Sequence, residues 1–541
     1  MADYKIFWGE THDNTYEVDR QDPPFDRICQ LASRHLDFYA AAYYTSCADA
    51  FRPGGHPSEL SGPQRLILEK WKTPERLQTE WAEVQEATAK YDAPGRFVTF
   101  PGYEWQGDGT CGDHNVFHRR EGWSIARVPT LDQLYEQLRD IDALAIPHHT
   151  GYRVGRRSPD WRRCDETLSP FVEIFSGHGC SETDEEWIGL RRNSHMGPGA
   201  GGGTYEDALA HGLHVGATCS TDNWGVMPGR YGRGLMGCLA EKLTREDLWR
   251  AFRARRVYGV TGDRIEMDFT VNGQPMGSII HASGTRDIRV TVRGSDAIDR
   301  IEVLRNGRVL ATYCHQGTWS LPKPGRRSRF KLRIEVGWGP RPNEMPVAEH
   351  RWEGRLTIDG GRLVGWEPCW ISLGQQVPIL NGAQTDFALT SSTAHVVDPQ
   401  QNANVFEFEA APEAPVRLDL NSLTEKASVA DLSRGSRILW YRDECIRLLH
   451  EHFGLEPGSH EREDPYYHMA HKAKIHCALP EAGYTATFEL ADAQPLDREV
   501  HYRVRVEQRN GQRAWSSPIW VRPPEEARSG ATTQAQLPPA T

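Results

Sequence analysis

The stretch Phe7–Asp19, FWGETHDNTYEVD, decides how the rest of the chain is read. A strand-like run, Tyr4 to Trp8, ends at Gly9 and then delivers Glu10, His12, Asp13, Asn14 and Asp19 within one loop. Packing alone rarely requires so many ligand-type side chains in so short a space. In isolation the stretch is a strand end followed by a polar turn. It becomes one wall of a metal site because the same event recurs along the first half of the chain.

From Tyr4 to about Ile265, short apolar runs alternate with polar turns and longer mixed segments. The pattern predicts strands at Tyr4–Trp8, Asp37–Tyr44, Arg96–Phe100, Asn115–His118, Leu144–Pro147, Phe171–Phe175 and His214–Thr218. Helical stretches fall between them at Gln64–Tyr91 and Leu131–Arg139, where Leu131, Leu134, Tyr135 and Leu138 recur at helical spacing. Helical crossovers imply parallel strands, and a closed or nearly closed barrel is the economical architecture. In such barrels the chemistry sits at the carboxyl ends of the strands.

Those ends share one character. The first carries His12 and Asn14, the third Glu104 in PGYEW, and the fourth is preceded by Asp113 and His114. The fifth ends in PHHTG with His148 and His149, the sixth in SGHGCSE with His178 and Glu182, and the seventh in CSTDNW with Asp222 and Asn223. A solvated loop or a cap accounts for any one of them. Six such ends brought to one mouth point to a site.

Arginines follow in the same loops: Arg153, Arg156, Arg157, Arg162 and Arg163 after the fifth strand, Arg230 and Arg233 after the seventh. Guanidinium forks hold phosphate or carboxylate bidentately, although Asp160, Asp165 and Glu166 are near enough to pair with several of them at the surface. Gly197, Gly199 and Gly202 have dinucleotide-motif spacing but do not directly follow a strand, so they read as a flexible loop, a lid or a plain linker before a helix at Tyr205–Ala210.

At 541 residues the chain is expected to hold two or three domains. Its 11 cysteines are odd in number, scattered and without a Cys-x-x-Cys pair, which argues against a disulfide framework and for a reducing compartment. No apolar run approaches the ~20 residues of a membrane span, and the first strand leaves no room for a signal sequence. A cytoplasmic protein without a membrane partner is expected. The net charge of −11 disfavours a sequence-independent grip on nucleic acid.

From about Glu266 the grammar changes to period-two alternation, as in Ile288–Val292 and Tyr502–Val506, with Asn-Gly turns at Asn306-Gly307 and Asn510-Gly511. Residues 266–523 therefore read as an antiparallel β-sandwich-like region, with one helical interruption at Arg437–Phe453. Residues 524–541, rich in Pro, Ala, Thr and Gln, are expected to be disordered.

GETHDNT resembles the Gly-Asp-Leu-His-x-His-Thr opening of the polymerase and histidinol phosphatase (PHP) superfamily, and LDFYAAAYYT, PGYEW, IPHHTG and STDNW follow in the order of its later motifs. A closer likeness is to long bacterial PHP-like chains. Their barrels end in a segment like Arg255–Phe269, and the chains close with one like Gln508–Val521. The resemblance implies a distorted seven-stranded (β/α) barrel of PHP type over residues 1–265, binding up to three metal ions. It implies His12, Asn14, Glu104 and Asp222 as ligands of the first site, and Glu104, His114 and His148 of the second. Tyr43-Tyr44 and Trp224 stand where the superfamily has third-site ligands, which implies two metals rather than three and an aromatic wall. Asn14 stands where histidine is usual, and its neutral oxygen favours manganese or iron over zinc.

On this reading Glu104 bridges two divalent ions (manganese, zinc or iron), and Asp222, His149 or His178 supplies acid–base chemistry. Tyr44, Trp105, Trp224, Arg153, Arg156, Arg157 and Arg230 contact a small anionic or ring-bearing substrate. Phosphoester cleavage is the first expectation, hydrolysis of a C–N or C–O bond the second, and a non-catalytic binding protein on a decayed barrel the third. Whether the chain forms a homo-oligomer is left open.

Overall fold

A computed structural model describes residues 4–15, 24–45, 72–185, 188–190, 198–223, 227–315, 317, 319–340, 349–392, 401–456, 458 and 464–524. Asp19, residues 64–71 of the first expected helix, Gly197 of the glycine-rich loop, Trp224 and the tail from 525 lie outside them.

The chain is strand-rich mixed α/β with several sheets. The three opening strands are each broken in two. The halves β1 (Lys5–Glu10), β3 (Phe38–Ala40) and β5 (Val98–Phe100) pair in parallel, and β2 (Asn14–Thr15), β4 (Ala42–Tyr44) and β6 (Gly102–Trp105) do the same one step further on. Pro101, which has no N–H to give a ladder, marks the third break. Beside it, a Cβ on Gly102 would lie 2.4 Å from the Ala41 carbonyl oxygen, so only glycine permits that approach.

β7 (Asp113–His118) runs antiparallel to β6, and β8 (Ala143–His148) antiparallel to β7. The all-parallel expectation fails here because the β6–β7 connection is a short turn, whereas a parallel return needs about a dozen residues or more. β9 (Phe171–Ser176) pairs with β10 (Gly179–Cys180) and, in parallel, with β11 (Gly216–Cys219). β12 (Leu235–Ala240) and β13 (Val257–Val260) then extend the β1 edge in antiparallel fashion. β8 lies against β9 and β11 against β13, but among the described residues the ladders form separate sheets.

Helices cover the outer faces. Pro74–Tyr91 is capped by Thr73 and buries Leu77, Trp81, Val84 and Ala87. Leu131–Leu138 carries a Thr130/Gln133 capping box and buries the four apolar residues that predict it.

Beyond residue 265 the strands pair antiparallel, except that Ile279–His281 runs parallel to Ile519–Arg522. A five-stranded and a six-stranded sheet enclose Trp352, Leu356, Phe406 and Phe408. The Asn306-Gly307 turn has positive φ at both residues, as a two-residue hairpin requires. Arg437–Phe453 is helical only from Arg442; Arg437–Trp440 is a strand paired with Lys472–Ile475. The two halves of the chain share a sheet. Arg513–Ser516 hydrogen-bonds to β13, with Gly259 opposite Trp515, and Val500–Gln508 pairs on its far side.

Candidate metal centre

Four histidine rings cluster at the ends of β1, β8 and β9. Ring centroids are 4.0 Å apart for His12 and His148, 4.3 Å for His148 and His149, and 4.6 Å for His149 and His178. Carboxylates interleave with them. His12 Nε2 lies 3.6 Å from Asp222 Oδ1 and 3.9 Å from Glu104 Oε2, and His178 Nε2 lies 3.1 Å from Asp222 Oδ2. Ligand atoms of His148, His149 and Asp222 all lie within 4.8 Å of one another, as do those of His12, His148 and Glu173.

The local fold aims these groups. His149 and Asp222 hold φ of 37° and 43°, left-handed values that non-glycine residues rarely adopt and that cluster at functional sites. Glu104 Oε1 accepts from Gln106 Nε2 at 2.8 Å, and Gln106 also donates to the Tyr44 hydroxyl at 2.9 Å. Asn14 Nδ2 donates to Asp222 Oδ1 at 3.2 Å, and the buried Asn14 amide oxygen has no hydrogen-bond partner among the described residues.

Two participants escape the sequence reading. Glu173 lies mid-strand in β9, and its Oε2 accepts from His12 Nδ1 at 2.9 Å, leaving His12 Nε2 to face the cluster. Its only signal is an acid inside a fully buried apolar run. Tyr152 shares a 2.8 Å hydrogen bond with His178 Nδ1, completing a Tyr152–His178–Asp222 chain.

Register corrects two further calls. Asp113 pairs with His148, and Asn115 with Glu104, so Asp113 and Asn115 share the face of the cluster. His114 pairs with Pro147 on the opposite face, where its ring packs against Trp105 and Tyr135. A one-residue step along a strand turns a side chain to the other face, so Asp113 occupies the place expected of His114. Trp105 is likewise core: it is buried and donates Nε1 to the Val128 carbonyl at 2.8 Å. Tyr43 faces outward to Glu80, while Tyr44 faces the cluster.

The arginines divide. Arg157 reaches in to Asp113, which also lies 3.3 Å from His149 Nε2. Arg153 and Arg156 are exposed and Arg230 half-buried. Arg162 pairs with Asp160 and Arg163 with Asp132, the surface alternative. Glu182 is not in the cluster: it is buried against Arg503, Arg505 and Trp515.

Electrostatics frame what the site can hold. Glu10, Asp13, Glu104, Asp113, Glu173 and Asp222 are all buried within this region. Burial raises the Glu10 pKa to about 6, against the backbone N–H groups of His12 and Thr221 that its carboxylate accepts. At His12 burial opposes the charged ring, but Glu173 and Asp222 outweigh it and hold the pKa well above the usual value. At His148 burial, then the charge of His12, drives the pKa well below it. Among the described residues, Glu104 Oε2, His12 Nε2 and both nitrogens of His148 are buried without a hydrogen-bond partner. Buried carboxylates in this number need compensating positive charge. The neutral His148 ring and the free oxygens form a hard–borderline donor set that fits divalent ions.

No family model matches the chain. It is 26% identical over 344 residues to an uncharacterized protein of Chlamydia pneumoniae, covering 57% of this chain and 48% of that one. An uncharacterized protein of Chlamydia trachomatis is 25% identical over 327 residues, covering 56% and 50%. The chain thus spans about half the length of the curated relatives it matches. Among solved structures it is similar to a two-domain protein containing a predicted PHP-like metal-dependent phosphoesterase from Bacteroides vulgatus, with 11% identity and a TM-score of 0.30 over 56% of this chain and 80% of that one.

Proposed function

We propose that the chain is a metal-dependent hydrolase of PHP type. Its first thirteen strands would form a distorted barrel over residues 1–265, completed at one edge by the C-terminal strands, and the cluster would hold two divalent ions. The observation that carries this reading is the convergence of His12, Glu104, His148, His149, His178 and Asp222, with buried donor atoms left unpartnered among carboxylates.

His12, Asn14, Glu104 and Asp222 would hold one ion, and Glu104, His148 and Asp113 the other, with Glu104 shared. Such a pair supplies Lewis acidity, activating water at neutral pH and stabilising charge on a substrate oxygen. Glu173 positions His12 by fixing the proton on Nδ1, as carboxylate partners of ligating histidines do. Tyr152, His178 and Asp222 form the path along which a proton reaches or leaves the reacting group. Arg157, which pairs with Asp113, and the exposed Arg153 and Arg156 of the same loop favour a small anionic substrate. A phosphoester is the substrate class of choice, with Tyr44 as an aromatic wall.

The test is a metal count on purified protein after reconstitution with manganese, zinc or iron, followed by assay of phosphomonoesters, diesters, esters and amides. About two equivalents and phosphoester turnover abolished by Glu104→Ala are expected. Fewer than one equivalent of any of these metals, or turnover indifferent to Glu104→Ala, overturns the reading.

A further inference from the structure

A second group of metal-type ligands lies in the C-terminal half, remote in sequence from the strand ends. His350 is the second residue of the strand Glu349–Ile358 of the five-stranded sheet, His471 precedes the strand Lys472–Ile475 of the six-stranded sheet, and Glu444 projects from the helix Arg442–Phe453. Glu444 Oε1 lies 3.5 Å from His350 Nδ1 and 3.8 Å from His471 Nδ1, and one ligand atom of each residue lies within 4.8 Å of the others.

These separations are long for hydrogen bonds. They are close to the edge of a tetrahedron around zinc, about 3.3 Å for metal–ligand bonds of about 2.0–2.1 Å. The two imidazoles stack with centroids 3.9 Å apart and planes 23° from parallel, an arrangement that two imidazolium charges would oppose. His471 is 2% exposed, yet among the described residues neither of its ring nitrogens has a hydrogen-bond partner. A buried imidazole left so costs stability unless something ligates it. Its Nε2 edge is walled off by Gly339, where an added Cβ would fall 2.3 Å from that nitrogen, so Nδ1 is the atom left to coordinate.

His350 Nε2 is 3.3 Å from the Asn421 amide, and the Trp352 ring packs edge-on to both histidines. Asn421 and Trp352 thereby fix the rings as second-layer partners fix ligating histidines. The Glu444 side chain is 28% exposed, which leaves an entry path and room for a water as fourth ligand.

We propose that His350, Glu444 and His471 bind one zinc-class divalent ion that clasps the two sheets of the C-terminal region and their helix together. Two imidazoles and one carboxylate select zinc over the hard alkaline-earth cations.

Full-length protein stripped with chelator is dialysed against zinc alone, and bound zinc is counted for wild type, His350→Gln and Glu444→Gln. Both residues are partly exposed, so each variant folds, which circular dichroism checks. Each is expected to bind one equivalent fewer than wild type, and to lose the zinc-dependent rise in unfolding temperature of the C-terminal region. His148→Ala, in the other cluster, should keep that rise, so failure here is separable from failure at the strand ends. Zinc stoichiometry unchanged in both Gln variants overturns the proposal.

Discussion

Glu182 offers a sharp test of how the halves of the chain are joined. Its carboxylate is fully buried and serves three donors: Arg503, itself 1% exposed, Arg505 Nε at 2.7 Å and Trp515 Nε1 at 2.8 Å. Arg503 also pairs with Glu206, whose side chain is 23% exposed. In Glu182→Ala, among the described residues, a buried guanidinium keeps only that outer partner and the Trp515 N–H keeps none. Removing one member of a buried ion pair costs about 3–5 kcal/mol. Glu182→Gln retains an acceptor but not the charge, and should cost about 2–3 kcal/mol, the value of a hydrogen bond to a charged group plus part of the uncompensated arginine. Glu206→Ala leaves Arg503 bound to Glu182 and should cost about 1 kcal/mol or less, because the buried guanidinium keeps its inner carboxylate and the lost one reaches solvent. Urea unfolding followed by tryptophan fluorescence orders the variants, and amide exchange of Arg513–Ser516 localises the loss. If Glu182→Ala and Glu206→Ala lie within about 1 kcal/mol of each other, the clasp does not hold the sheet as argued.

Three further outcomes follow from the same geometry. Glu173→Gln, which keeps the shape but not the charge behind His12, should weaken metal affinity about 10–100-fold with the fold intact, read by competitive chelation; unchanged affinity would sink its positioning role. Burial depresses the His118 pKa to about 4 with both ring nitrogens unpartnered, so the unfolded chain takes up a proton below about 6.5 that the native chain refuses. Stability should therefore fall as pH drops from about 6.5 towards 4, and His118→Phe, seated among Trp81, Tyr103 and Trp123, should recover about 2 kcal/mol of that loss at pH of about 5. Parallel urea curves for both proteins at the two pH values decide it. Gly9→Ala puts a Cβ 2.2 Å from the Phe38 ring and should destabilise by about 1–3 kcal/mol, a change visible in thermal melts; a neutral effect would mean the β1–β3 contact is looser than described.

The strand ends were legible because metal-type side chains follow short apolar runs, and local order in the chain carries that signal. His12, Glu104, His148, His149, His178 and Asp222 come together as expected. What local order does not carry is which face a residue takes. Asp113 and His114 are neighbours, and only the register against β8 turns one inward and the other towards Trp105. Nor does it carry partners far along the chain: Glu182 reads as one more acid at a strand end until Arg503, 321 residues on, is seen against it. Glu173 was hidden differently, inside a run whose apolar neighbours mark it as core. The antiparallel turn of β7 was missed because a seven-strand pattern suggested crossovers where the connection is too short for one.

The sharing of a sheet between β13 and Arg513–Ser516 also has a meaning in time. Roughly 250 residues separate the two strands, so at about 5–20 residues per second a ribosome takes on the order of 10–50 s to deliver the second after the first. Throughout that interval the nascent polypeptide displays an open sheet edge and a buried-type acid, Glu182, without its arginines. The strands that carry the histidine–carboxylate cluster are made first, yet they must wait for Arg503 and Trp515 near the other end of the sheet, and it is in that window that a chaperone would have work to do.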